Sequence, residues 1–173
     1  MTIRDGIVDD LPAIVAIYNA SIQGRAATAD TQPVTVASRR DWFHEHNPTV
    51  RPLWVAVQND IIAGWLSFQS FYGRPAYHAT AELSVYIAQS WQRKGIGNAL
   101  LSQAVVQAPD LGLKNLLGFI FAHNDPSLRL FKKFGFERWG NLPRVAELDG
   151  MERDLIIVGR RVVPKLGTGI DGA

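Results

Sequence analysis

The segment Val85-Tyr86-Ile87-Ala88-Gln89-Ser90-Trp91-Gln92-Arg93-Lys94-Gly95-Ile96-Gly97 limits the fold more than any other part of the chain. A strand ends, a short loop follows, and two glycines lead into a helical pattern with Ile96, Leu100, Leu101 and Val105 on its buried side. Amides at such a helix start have no intrahelical partners, and the helix dipole adds partial positive charge. Glycines let a phosphate approach the main chain, and Arg93 and Lys94 can neutralise further anionic charge. A diphosphate ligand fits here physically. The plainer alternative for Gly95-x-Gly97 is a tight strand-to-helix turn.

The kind of diphosphate can be narrowed. A dinucleotide fingerprint wants a third glycine at position 100, which is Leu100. It also wants an acidic residue about 20 positions onward, where Lys114 and Asn115 stand. A Walker A loop needs Lys-Ser/Thr after its second glycine, and Gly97 is followed by Asn98.

Around this segment the periodicity predicts an opening strand at 2–4 and a helix capped by Asp9 or Asp10, with Pro12 in its first turn. The polar stretch 21–32 shows no period, and a second helix runs from Thr35 or Ser38 to about His46. Strands at 53–57 and 61–68 flank Asn59-Asp60 as a hairpin, and a third strand occupies 79–87. A helix at 95–108 and a wholly apolar strand at 116–121 follow. Asp125 is the expected N-cap of a helix with Pro126 at N1, stopped by Gly135, before closing strands at 136–142 and 151–158. The order β-α-α-β-β-β-α-β-α-β-β predicts an α/β mixed sheet with helices on its faces. With no linker or repeat visible, residues 1–162 read as one domain and 163–173 as a loose tail.

Composition excludes several functions. Eighteen Lys and Arg against 16 Asp and Glu leave a net charge of +2, too small for a dedicated nucleic-acid binder. The absence of cysteine removes disulfides, thiolate nucleophiles and Cys-based zinc sites, and suits a reducing cytoplasm. His44 and His46 form the one close histidine pair, which does not complete a metal site, so no metal is expected. No signal peptide and no apolar stretch of membrane-spanning length are visible, so a cytoplasmic protein with no membrane partner is expected.

Two motifs carry a resemblance to a known family. Gln92-Arg93-Lys94-Gly95-Ile96-Gly97 resembles the Gln/Arg-x-x-Gly-x-Gly/Ala acyl-CoA signature of the GNAT acetyltransferase superfamily. Asn124-Asp125-Pro126-Ser127, followed by Phe134-Gly135-Phe136, resembles that superfamily's N-x-x-S…GF helix and following strand. Tyr18-Asn19 and the stretch from Thr80 through Glu82 to Ile87 look like the phosphinothricin acetyltransferase subfamily, which includes methionine sulfone and methionine sulfoximine acetyltransferases. The resemblance covers about residues 2–158. It implies a GNAT-like, mostly antiparallel twisted sheet with helices on both faces.

It also implies acetyl-CoA as co-substrate and direct attack by an amino acid or its analogue in a ternary complex. On that resemblance the main chain of Val85, Tyr86 and Ile87 contacts the pantetheine and thioester. Gln92, Arg93, Lys94, Gly95, Ile96, Gly97 and Asn98 belong to the diphosphate cradle, Asn124 to the pantetheine arm, and Ser127 and Lys132 or Lys133 to further CoA contacts. Glu82 is the candidate base, because burial of a carboxylate in an apolar strand raises its pKa toward a useful value. A structural ion pair is the alternative for Glu82. Arg74 and His78 sit where an amino-acid substrate needs a carboxylate partner, with Tyr77 and Phe71 as candidate pocket walls. A solvated loop arginine and a surface histidine are the plainer readings.

Two features depart from the family pattern. The last helix offers Phe131 where many GNAT enzymes place a tyrosine acid, and no histidine occurs around 148–153. Protonation of the leaving thiolate by solvent is the expectation that follows. Homodimer formation is implied by the family, with five tryptophans available for an interface. Protein N-terminal or lysine acetylation and a non-catalytic acyl-CoA sensor are the alternative functions.

Overall fold

The computed structural model describes residues 1–162, so the tail expected at 163–173 lies outside the described residues. Strand β1 (Thr2–Asp5) leads to helix α1 (Leu11–Ile22) and, after a long connection, to the short helix α2 (Arg40–His44). Strands β2 (Leu53–Gln58), β3 (Ile61–Ser70) and β4 (Thr80–Ile87) follow, then helix α3 (Ile96–Gln107), strand β5 (Asn115–Phe121) and helix α4 (Asp125–Lys133). Strands β6 (Glu137–Leu148) and β7 (Met151–Arg161) are the last elements of the described residues.

The seven strands form one sheet in the order β1-β2-β3-β4-β5-β7-β6. Every neighbouring pair is antiparallel except β4 and β5. The hairpins have a local cause. Asn59 and Asp60 both take positive φ, as do Asp149 and Gly150, the geometry that matches strand twist in a two-residue turn.

The sheet is covered on both faces. Leu66, Phe68, Leu83, Leu116 and Ile120 pack with Leu100, Leu101 and Phe131 on the α3–α4 side. Val55 and Trp65 pack with Ile14 and Ile17 of α1 on the other. This double covering explains why β2 and the middle of β3 read as nearly continuous apolar runs. Gly118 sets how closely α4 sits on β5. A Cβ there would lie 2.8 Å from Cε1 of Phe131 and 3.0 Å from Cγ2 of Val158.

Several boundaries differ from the sequence expectation. The cap of α4 is Asn124, whose side chain accepts from the Ser127 amide at 3.2 Å, and Asp125 is the first helical residue. Asn outranks a neighbouring Asp here because it alone stands one step before the helix. Helix α2 is five residues long, preceded by a 3-10 turn at Ala37–Arg39. Strand β6 continues to Leu148 past Pro143, because irregular pairing between Leu142 and Ala146 absorbs the proline. Asp10 precedes α1 but its side chain does not cap that helix.

Its carboxylate instead takes two bonds from Arg4, at 2.6 and 2.9 Å, and one from the Ile7 amide at 2.8 Å. Burial pushes this carboxyl up, but the Arg4 and Ile7 bonds outweigh it and hold Asp10 below the usual range. A depressed folded-state pKa contributes stability that is present above the unfolded value and lost as pH falls through the folded one. Asp10→Asn should therefore cost about 1–2 kcal/mol at neutral pH, given that Arg4 is partly exposed. Urea unfolding across pH should show the gap to the parent closing below the ordinary carboxylate range.

Candidate active site

Strand β4 pairs with β5 through Thr80–Asn115, Ala81–Leu116 and Glu82–Leu117, and the ladder stops there. Both strands continue. β4 stays registered with β3 as far as Ile87, and β5 stays registered with β7 as far as Phe121. Beyond Glu82 the two therefore diverge, and the facing edges from Leu83 and Gly118 onward have no strand partner among the described residues. Such an edge can take an extended ligand that carries amide groups.

A cavity of about 380 Å³ fills the fork, with Glu82, Ser84, Val85 and Tyr86 on one wall and Phe119, Ile120 and Phe121 on the other. Asn124, Ser127 and Phe131 close it below, and Ala26 through Ala29 cover it. Because β4 and β5 run parallel, α3 and α4 both begin at the open end of the fork. Gly95, at φ 85°, is the N-cap of α3 and stands two residues after Arg93, which also has positive φ. Two adjacent helix starts place unpaired amides where anionic groups are favoured.

The covering loop is fastened at several points. Asn124 Nδ2 donates to the Ala26 carbonyl at 3.0 Å, and Tyr86 Oη donates to that of Ala27 at 3.2 Å. His123 Nε2 pairs with the Arg25 carbonyl at 2.8 Å, and Arg25 Nε bonds Asp149 in the β6–β7 turn at 2.8 Å.

Glu82 stands at the point of divergence, half-buried, with no hydrogen bond or ion pair among the described residues. Burial alone pushes its carboxyl above the usual carboxylate range. It faces the α1 side of the sheet, where register sets Gln69 beside Glu82, Ser67 beside Ser84 and Trp65 beside Tyr86. A second cavity of about 120 Å³ lies over this polar ladder and shares Ser84 and Tyr86 with the first. Arg39 of the 3-10 turn and Trp42 of α2 form its outer wall. Burial, with the neighbouring Tyr18, raises the Tyr86 phenol strongly, so it stays a hydrogen-bond donor.

The residues expected from the sequence fall into three groups. Glu82, Val85, Tyr86, Asn124 and Ser127 line the fork. Gln92, Arg93, Lys94 and Gly95 form an exposed turn before α3, with Lys94 Nζ 4.9 Å from the Trp91 ring centroid. Asn98 accepts from Lys133 Nζ at 2.8 Å, joining α3 to the last turn of α4. Ile87 packs beside Gly97, and Ile96 is buried in the core, so Ile96 offers a ligand its main chain only.

Arg74, Tyr77 and His78 lie on the exposed connection between β3 and β4 and line neither cavity. Tyr77 stacks edge-on against Phe71 at 5.3 Å, and His78 Nδ1 pairs with the Pro75 carbonyl at 2.9 Å. Arg51, buried with no acidic partner among the described residues, donates to the His78 carbonyl at 2.7 Å and holds this connection. Sequence reasoning missed Arg39, Ser67, Gln69 and Ser84. Ser67 gave a signal, as a lone hydroxyl inside an apolar strand; Arg39 gave none, because its approach depends on the 23–36 connection. Among the described residues no group of three or more His, Cys, Asp or Glu could hold a metal ion, and no helix is long and apolar enough to cross a membrane.

Known proteins share this arrangement. The family model for the acetyltransferase (GNAT) family matches residues 14–136. A Bacillus subtilis protein provisionally named phosphinothricin acetyltransferase YwnH is 51% identical, with 94% of this chain and 99% of that protein covered. The L-methionine sulfoximine/L-methionine sulfone acetyltransferase of Pseudomonas paraeruginosa is 31% identical, over 94% of this chain and 95% of its own. The crystal structure of a phosphinothricin acetyltransferase from Sinorhizobium meliloti in complex with acetyl-CoA superposes with a TM-score of 0.88 at 28% identity, covering 98% of this chain and 96% of that one. Sequence, sheet order and forked strands agree: the chain belongs to the GNAT acetyltransferase family.

Proposed function

We propose that this acetyltransferase moves the acetyl group of acetyl-CoA to the α-amine of an amino acid or analogue of the phosphinothricin, methionine sulfone or methionine sulfoximine type. The observation that carries the reading is Glu82, an unpaired carboxylate with raised pKa where β4 leaves β5. Acetyl-CoA supplies an activated acetyl thioester. The free edge of β4 at Val85 and Tyr86 binds the pantetheine arm, and the amides from Gly95 to Asn98 hold the diphosphate with Arg93, Lys94 and Lys133. Glu82 Oε takes the proton that the ammonium must lose before it can act as a nucleophile. The loop over the fork limits water at the same point.

Arg74, on the exposed β3–β4 connection outside both cavities and with no side-chain partner among the described residues, is free to turn its guanidinium to the acceptor's α-carboxylate, with Tyr77 and His78 beside it in the chain. The reading treats residues 1–162 as one catalytic unit acting as a cytoplasmic homodimer. The exposed Trp139, Leu142 and Val145 of the edge strand β6 offer apolar surface for the second copy.

Release of CoA thiol with a panel of amines tests the reading. Turnover confined to acceptors with a free α-carboxylate supports it, and turnover of a lysine peptide alone overturns it. Glu82→Gln should lower kcat by about 10²- to 10⁴-fold and remove the acid limb of the pH–rate profile. That limb lies above the ordinary carboxylate range in the parent, with activity rising as Glu82 ionises. A raised folded-state pKa favours the fold at low pH, and that contribution is lost as pH rises through the folded value. Glu82→Gln should accordingly be at least as stable as the parent at pH 8 by thermal unfolding. Arg74→Ala should raise the acceptor KM by about tenfold or more and leave the KM for acetyl-CoA unchanged, as initial-rate kinetics would show.

A further inference from the structure

We propose that Arg25 is a positioning residue for the acyl donor. By joining the covering loop to Asp149, it holds that loop across the fork before acetyl-CoA arrives. The inference rests on donor binding in the fork and assigns a part in it to a residue outside the cavity lining.

The connection at 23–36 has to bridge two strands that do not pair there, and its fastenings divide accordingly. On the side that α1 covers, Asn19 pairs with the Val34 main chain through both ends of its amide, at 2.8 and 2.9 Å. Tyr18 Oη bonds Thr28 and Asp30 at 2.6 and 2.5 Å, and Arg39 Nη2 donates to Asp30 at 3.1 Å. Tyr18 and Asn19 belong to α1 and Arg39 to the turn before α2, so these bonds hold the loop to one side only.

Arg25 supplies the loop's side-chain bond to the other side. Its Nε donates to Asp149 Oδ2 at 2.8 Å, in the turn between β6 and β7, and β7 is the strand that supports β5. Its Nη1 donates to the carbonyls of Thr31 and Ile22 at 3.2 and 3.4 Å, so one guanidinium also ties the loop to itself. His123 pairs with the Arg25 carbonyl at 2.8 Å, immediately before Ala26 to Ala29 begin to line the fork.

The backbone gives no reason for an arginine here. Arg25 ends α1 at φ 51°, with its amide donating to the Ile22 carbonyl at 3.1 Å. Glycine is the usual left-handed residue after a helix, and a side chain there is strained. The bonds of the guanidinium offset that strain and pin the loop. A loop already in place spares the donor the entropic cost of ordering it on binding. The second half of the loop, held by Tyr18, Asn19 and Arg39, keeps its place over the smaller cavity without Arg25.

Calorimetric titration with acetyl-CoA, and initial rates with whichever acceptor of the amine panel the parent uses, provide the test. Arg25→Gly relieves the left-handed backbone, so its Tm should stay close to the parent's while the Kd for acetyl-CoA rises about fivefold to twentyfold. Asp149→Asn keeps a residue suited to the hairpin turn and removes the charge of a partly exposed pair, so Kd should rise about twofold to fivefold. The double variant should bind no more weakly than Arg25→Gly, because the carboxylate acts through Arg25. Acceptor KM should stay within about twofold of the parent in all three. Unchanged donor Kd in either single variant, additive losses in the double variant, a collapse of Tm in Arg25→Gly, or acceptor KM rising in step with donor Kd would each overturn the inference and leave the acetyl-transfer reading standing. A parent that does not bind acetyl-CoA overturns both.

Discussion

Between Thr80 and Glu82 strand β4 hydrogen-bonds to β5, and beyond Glu82 it does not. The rest of the molecule is arranged around that break. Each strand keeps a full ladder on its outer side, so the fork stays open without leaving either strand unsupported. Parallel direction then brings the starts of α3 and α4 to the same mouth. Packing of Phe131 against Gly118 fixes α4 at the base of the opening. Unpaired main-chain groups, two helix N-termini and a deep apolar wall are therefore products of one interrupted pairing.

The two faces of β4 divide the chemistry. Leu83 and Val85 point to the core beneath α3 and α4, whereas Glu82, Ser84 and Tyr86 point toward α1 and α2. Strand alternation alone achieves this separation. It lets a carboxylate sit in a strand that is otherwise part of the hydrophobic core. Its desolvation is the source of its raised pKa, and the polar ladder with Ser67 and Gln69 keeps the same face from closing as a greasy contact.

Legibility in the sequence followed the range of the interaction. The order of elements and the Gly95-x-Gly97 turn were readable because glycine conformation and hydrophobic period act over a few residues. Glu82 stood out as a charge in an apolar run. The cap of α4 was misplaced by one residue because Asn124 and Asp125 are both good caps and only the backbone path distinguishes them. Strand β6 was cut short because Pro143 reads as a breaker until irregular pairing with β7 absorbs it. Arg39 could not be found, since nothing local says that a residue after an aperiodic connection returns over Tyr18 and Trp42. The proposed carboxylate residues Arg74, Tyr77 and His78 show the converse: their types suit the task, and only three dimensions reveal that they stand outside both cavities.

The loop over the fork is held at Arg25, Ala26 and Ala27 through main-chain carbonyls that accept from His123, Asn124 and Tyr86. A carbonyl presents the same acceptor whatever side chain its residue carries. Point substitutions at Ala26 and Ala27 can therefore change the roof of the cavity while these main-chain attachments persist. Such a roof is a natural place for descent with modification: selection can explore new acceptors there while the inherited machinery for holding the acyl donor stays intact.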